Sequence, residues 1–221
     1  MNCTMPAWRN QSTAHLDSHD EVIAIWPHTG AILVGGRSSR MGEPKHAMAL
    51  PDGRTMMDAV GDAMRSVCRR VVVVGQTNFV RTRGYVEIAD LRPTAGPLGG
   101  IEALLASSVD SQYLICPCDM PLMTADLLTQ LISDSSALAM AFAFADDPAP
   151  IPLPMRLCAD ALPMVRWLLD SDQQAVHQLL REISADLVRV PRSAAVELQN
   201  VNTPAEFSEV CRLFHCRPAQ S

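Results

Sequence analysis

No apolar run in this chain approaches the ~20 residues that a membrane-crossing helix needs. The opening stretch, MNCTMPAWRNQSTAHLDSHDE, has no apolar signal core and is interrupted by acids, which argues against a secretory signal. The cytoplasm is therefore the expected compartment. The chain also lacks an excess of positive charge. Its 18 Lys and Arg stand against 24 Asp and Glu, a formal net charge of -6, so a generally basic nucleic-acid binder is excluded and only a local cationic patch can be sought. A cysteine framework is missing as well. The seven cysteines are odd in number and irregularly spaced, and in a reducing compartment they should be buried free thiols. Cys116 and Cys118 form C-x-C, and Cys211 and Cys216 form C-x4-C. Neither pair has the companion pair or histidines of a zinc site. On a strand, Cys116 and Cys118 would share a face and both enter the core. There is no internal repeat and no low-complexity segment.

What the chain does have is length and apolar content. Its 221 residues, 48% hydrophobic and 19% charged, suit one large domain with a sizeable core. Residues 1–27 are polar and without period, and are expected to form a flexible extension. His15, Asp17, His19 and Asp20 could hold a metal there only on an ordered scaffold; a solvated tail is the plainer reading. Residues 28–215 are expected to form the domain, and 216–221 a tail.

From Ala31 the pattern becomes that of alternating elements. AILVG (31–35), RVVVVG (70–75), YVEIAD (85–90), YLICPCDMP (113–121) and ALAMAFAFA (137–145) read as strands buried on both faces. Residues 55–69, 97–108 and the stretch after Thr124 read as helices, with Thr124 as an N-cap. PAPIPLPMRL (148–157) is proline-rich and extended. CADALPMVRWLLD and QQAVHQLLREIS read as helices and ADLVRVP as a short strand. A last helix follows Thr203 and Pro204, a good N-cap and first-turn pair. The expected fold is α/β: a Rossmann-like, mostly parallel sheet flanked by helices. Such sheets bind ligands at the carboxyl ends of their strands. Gly35 and Gly36, Asp90 and Asp119 all fall there.

The stretch GAILVGGRSSRMGEPKH (30–46) ends a buried strand on Gly35 and Gly36 and then brings Arg37, Arg40, Lys45 and His46 close together. It is not a Walker A loop, because five residues separate Gly36 from Gly42 and no Gly-Lys-Ser/Thr follows. Nor is it G-x-G-x-x-G, because Gly35 and Gly36 are adjacent. The glycines nevertheless permit close backbone approach to a ligand, and Arg40 and Lys45 supply charge suited to phosphate oxygens. An ordinary turn with solvated charges has the same composition. Asp119 is costly to bury unless paired or metal-bound, and magnesium takes one or two carboxylates together with substrate phosphates; a turn-capping aspartate is the alternative, for Asp90 also. Asn200 and Asn202 share a face if their segment is extended, and otherwise form an Asx turn.

Taken together, L-x-G-G-x-S-x-R-M-G-x-x-K, a later G-P-L-x-G, a strand ending C-P-C-D-x-P, and N-V-N-T-P near the C-terminus resemble the molybdenum cofactor guanylyltransferase family, within a wider nucleotidyltransferase class of nucleotide-diphospho-sugar-transferase-like fold. The resemblance spans residues 30 to 215. It implies transfer of GMP from GTP to the terminal phosphate of molybdopterin or Mo-molybdopterin, with release of pyrophosphate and with Mg2+ as cofactor. By the same resemblance, Leu33, Val34, Gly35 and Gly36 hold the nucleotide. Arg40, Gly42 and Lys45 form the loop over the phosphates, Asp90 is a nucleotide-contacting acid, and Asp119 binds the magnesium. Gly96, Gly100, Asn200 and Asn202 lie near the acceptor, as does Gly42 at the junction. Arg40, Lys45 and Asp119 carry the catalysis. Transient contact with other cofactor-biosynthesis or acceptor proteins is a further expectation; nucleic acid and membrane are not expected partners. Two positions depart from the pattern: Pro44 stands where members often have Asp, and Gly75-Gln76 where they often have Asn. A sister transferase using CTP or another phosphorylated acceptor, and a nucleotide-binding protein without turnover, are the competing readings.

Overall fold

Each long apolar run forms a strand, and the alternation of its side chains decides what covers each face. The computed structural model describes residues 26–35, 45–75, 84–92, 94–132 and 136–216. Gly36, Arg40 and Gly42 lie outside the described residues, as do residues 1–25. Seven strands form a single sheet: β1 (Trp26–Leu33), β2 (Cys68–Val74), β3 (Val86–Ile88), β4 (Gln112–Pro117), β5 (Ala139–Phe144), β6 (Ile151–Cys158) and β7 (Asp186–Val190). Their order is β3-β2-β1-β4-β6-β5-β7. Only β6 is antiparallel to its neighbours, β4 and β5, so the sheet is mixed but mostly parallel, as expected. β1 starts at Trp26, ahead of the boundary placed after residue 27. Trp26 N–H donates to Val67 O at 2.7 Å, which brings these residues into the sheet.

The period of two is clear in the core. Ala31, Leu33, Val72, Val74, Tyr113 and Ile115 face one side, where α2 (Gly96–Ala106), α4 (Leu162–Asp170) and α5 (Val176–Glu182) pack. Ile32, Val73, Leu114 and Cys116 face the other, under α1 (Met56–Arg65) and α3 (Ala125–Thr129). α1 begins where expected because Thr55 and Asp58 cap it reciprocally. Thr55 Oγ1 accepts from Asp58 N–H at 3.1 Å, and Asp58 Oδ2 accepts from Thr55 N–H at 2.9 Å. Met56, Met57, Val60 and Met64 of this helix are fully buried. It ends at Arg65, short of the predicted 69, because Val67 N–H turns back to Met64 O and Cys68 already belongs to β2.

Cys116 and Cys118 are buried on the same side of the sheet as Cys68. Burial pushes the Cys68 thiol up to about 12 and raises Cys116 well above the ordinary thiol range. Neither forms a thiolate at neutral pH, as a purely packing role requires.

The last helix, α6 (Pro204–Cys216), begins at the predicted Thr203 cap. Thr203 Oγ1 accepts from Glu206 N–H at 3.2 Å, and Glu206 Oε2 accepts from Thr203 N–H at 2.9 Å. Val210 of α6 joins Leu50, Met56, Ala59, Leu122 and Val201 in a separate small core. α6 is thereby tied to the start of α1 and to the segment after β4.

Candidate active site

The parallel strands end in step, and backbone hydrogen bonds continue the alignment beyond them. Val34 N–H donates to Val74 O at 2.9 Å, Gly75 N–H to Ile88 O at 2.9 Å, and Cys118 N–H to Leu33 O at 3.1 Å. The ends of β1, β2, β3 and β4 thus form one ledge. Asp90 follows β3 and Asp119 follows β4, each two residues past the last strand residue. α2 opens above the ledge at Gly96, whose φ of 64° suits glycine, with Pro97 in the first turn.

Between ledge and helix lies a cavity of about 570 Å³. Leu33, Val34, Gly35, Asp90, Gly96, Gly100 and Asp119 all line it. Residues at distant positions in sequence therefore meet at one cleft, at the strand ends where the fold predicts it. Gly100 shows how closely α2 approaches. A Cβ placed there would lie 3.5 Å from Leu33 Cδ2, 3.5 Å from Val74 Cγ1 and 3.6 Å from Asp90 Oδ1. Asp90 itself is desolvated, and burial raises its carboxyl above the usual range.

Asn200 and Asn202 do not line the cavity. Val201 is fully buried between two exposed asparagines, and Val201 N–H donates to Asp119 O at 2.8 Å. Their link to the site runs through the backbone of the Asp119 turn. Lys45 opens a 3₁₀ turn, Lys45–Ala47; its side chain lies outside the described part. Burial lowers the pKa of its neighbour His46, so His46 adds no cation at neutral pH, unlike its place in the cationic cluster read from the sequence.

The sequence reading missed several lining residues. Arg92, Thr94 and Ala95 come from the loop after Asp90, and Pro117 and Cys118 from the end of β4. For these, lying between two named motif positions was the available signal. Leu153 of β6 also lines the cavity, and no local pattern marked it. The register Ile115↔Met155 carries Leu153 towards Pro117 at the edge of the cleft.

The desolvated Asp90 gives a pH test. Because its folded pKa is raised, the native state holds this proton more tightly than the unfolded chain does. Native stability therefore falls as pH rises from the ordinary carboxylate pKa through the folded value. Asp90→Asn removes that dependence. In urea titrations across the acid range, the stability difference should move in favour of the variant as pH rises; a constant difference would contradict the desolvation.

Comparison with known proteins agrees with this fold. The model of the MobA-like NTP transferase domain matches residues 30–190. A molybdenum cofactor guanylyltransferase of Xanthomonas euvesicatoria is 33% identical over 195 residues, covering 87% of this chain and 97% of the relative. Among solved structures, the molybdopterin-guanine dinucleotide biosynthesis protein A of Archaeoglobus fulgidus shares the fold with a TM-score of 0.69 at 19% identity, over 86% of this chain and 100% of that one. The 2-C-methyl-D-erythritol 4-phosphate cytidylyltransferase of Thermus thermophilus does so with a TM-score of 0.61 at 14% identity, over 84% and 98%.

Proposed function

Because the chain belongs to the MobA-like NTP transferase domain family, we propose that it transfers GMP from GTP to the terminal phosphate of molybdopterin, with or without its metal, and releases pyrophosphate. The observation that carries this reading is the meeting of Leu33–Gly35, Asp90, Gly96, Gly100 and Asp119 around one cleft large enough for two substrates' reacting ends. The chain is a nucleotidyltransferase, and its relatives' names supply the guanylyl group and the acceptor.

The reaction needs no side-chain nucleophile. An oxygen of the acceptor phosphate forms a bond to the α-phosphorus of GTP, and the bond from that phosphorus to the bridging oxygen breaks. Pyrophosphate leaves with the electron pair. The protein's work is alignment and charge neutralisation. The Leu33–Gly35 ledge holds the nucleotide against the apolar faces of Val34 and Val74, and the Asp90 side takes its polar edge. Arg40, Gly42 and Lys45, in the signature segment that follows Gly36, serve the phosphates. Gly96 and Gly100 leave room for the acceptor. Asn200 and Asn202 bear on it indirectly, through the segment bound to the Asp119 turn.

The donor set fits a magnesium ion. Asp90 and Asp119 offer hard carboxylate oxygens to the cleft, and no cluster of three or more His, Cys, Asp or Glu forms a closed cage among the described residues. An ion completed by substrate phosphates is what such a set favours. Asp119 would hold it, and when bound it would offset negative charge on the phosphates.

One observation favours a second reading, CTP as donor. Gly75-Gln76 stands where family members often carry asparagine, and the fold is shared with a cytidylyltransferase. Pyrophosphate release with GTP, CTP or ATP, magnesium and molybdopterin decides. Release with GTP alone supports the proposal, release with CTP transfers it to the sister activity, and binding without release leaves a nucleotide-binding protein. No described helix is long and apolar enough to cross a membrane, and the cytoplasm, where the substrates and the proteins that supply or receive the cofactor would be met, is the proposed location.

A further inference from the structure

Among the described residues lining the cavity, Arg92 is the one basic side chain. Its guanidinium is held from two sides by carboxylates of very different surroundings. On the inner side, Arg92 Nε lies 2.8 Å from Glu102 Oε2, and Nη2 donates to Glu102 Oε1 at 3.2 Å. Glu102, on α2, is only 3% exposed, and Arg166 Nε of α4 approaches its Oε1 at 3.3 Å. A carboxylate this deep must be compensated by charge, and it fixes the plane of the arginine in return. On the outer side, Arg92 Nη1 donates to Asp170 Oδ1 at 2.7 Å, but the Asp170 side chain is 65% exposed. A pair so open to water contributes little and exchanges readily.

We propose that Arg92 is a phosphate-binding residue of the cleft, set by buried Glu102, and that the acceptor's phosphate monoester takes the N–H edge that exposed Asp170 now holds. The assignment rests on the transferase reading above. Two anionic substrates must meet in one cleft, and the cations of the loop after Gly35 serve the nucleotide's phosphates. Arg92 comes from a different segment, the loop that leads to Gly96. Its planar fork suits a phosphate bidentately. Glu102 acts through Arg92 and is a positioning residue. A staple joining the loop to α4 through Asp170 would use the same contacts, but it would need Asp170, whereas phosphate binding is opposed by it.

That difference in sign is the test. In ¹⁵N NMR of the full chain, the Arg92 Nε–H signal is identified by its loss in Arg92→Gln and followed during titration with inorganic phosphate. It should move saturably in the wild type, and at several-fold lower phosphate in Asp170→Asn. In steady-state assays, Arg92→Gln should raise KM for the acceptor about tenfold, the loss of one good charge-assisted contact, with KM for GTP little changed. Asp170→Asn should keep or lower the acceptor KM. A signal indifferent to phosphate in both proteins overturns the proposal, whatever the enzyme transfers. An effect on GTP instead of the acceptor assigns the arginine to the nucleotide and overturns the acceptor role. An acceptor KM raised equally by Arg92→Gln and Asp170→Asn reduces the cluster to a staple. If the wild type released no pyrophosphate from any substrate pair while the signal still answered to phosphate, the transferase reading would fail and the anion site would stand.

Discussion

Asp119→Ala is expected to lower turnover about 10²- to 10³-fold, the usual consequence of removing one well-aligned charged group from a transfer site. The fold should survive. What fixes the turn after β4 is backbone: Cys118 N–H on Leu33 O, and Val201 N–H on Asp119 O. Alanine keeps both. Cys118 and Met120, on either side, are buried and hold the turn in the core. The carboxylate is therefore separable from the scaffold that presents it. Magnesium-dependent pyrophosphate release and thermal melting, measured on the same preparation, check both halves. Near-normal turnover would remove the metal from Asp119. A collapse in melting temperature matching the loss of activity would make the residue structural.

The parts of this fold that were legible in the sequence are those whose local pattern and tertiary role agree. AILV (31–34) and VVVV (71–74) are apolar at every position because both faces of their strands are covered, and Gly35 and Gly75 mark where each run ends. Thr55, Thr124 and Thr203 mark helix starts because their hydroxyls accept from backbone N–H groups in the first turn. Asp90 and Asp119, which lie directly after strands and line the cavity, were legible in place for the same reason. β6 was not, because two prolines lie in a strand placed between β4 and β5. Prolines normally exclude a central position. They are tolerated because β4 pairs only with Met155–Cys158, beyond Pro152 and Pro154, and because the pairing with β5 shifts register between Ala141 and Phe142. The irregular start of β6 is also where Leu153 reaches the cavity, so the same feature concealed a strand and a lining residue. Arg92 and Glu102 were hidden differently: each is an ordinary charge in sequence, and only the packing of α4 beside α2 brings Arg92 and Arg166 to one buried carboxylate, Glu102.

Gly75→Ala should be a severely damaging small substitution. Gly75 has φ of 117°, and a Cβ there would lie 1.9 Å from the carbonyl oxygen of Val34. Both penalties fall on backbone. The positive φ alone costs about 1–2 kcal/mol for a residue with a Cβ, and overpacking against a fixed neighbour typically adds about 1–3 kcal/mol. No side-chain rotation relieves it, because Val34 N–H is bonded to Val74 O and Gly75 N–H to Ile88 O. The only escape is to part β1 from β2 at their carboxyl ends, the part of the ledge that lines the cavity. Stability and nucleotide binding should therefore fall together: about 3 kcal/mol in chemical denaturation, and a weakened GTP affinity in the fraction that remains folded at low temperature. By contrast, Gly100→Ala meets only ordinary contacts at 3.5 Å and beyond and should leave denaturation midpoints nearly unchanged. Equal stability of the two alanine variants would mean that β1 and β2 do not meet as closely at Val34 and Gly75 as this cleft requires.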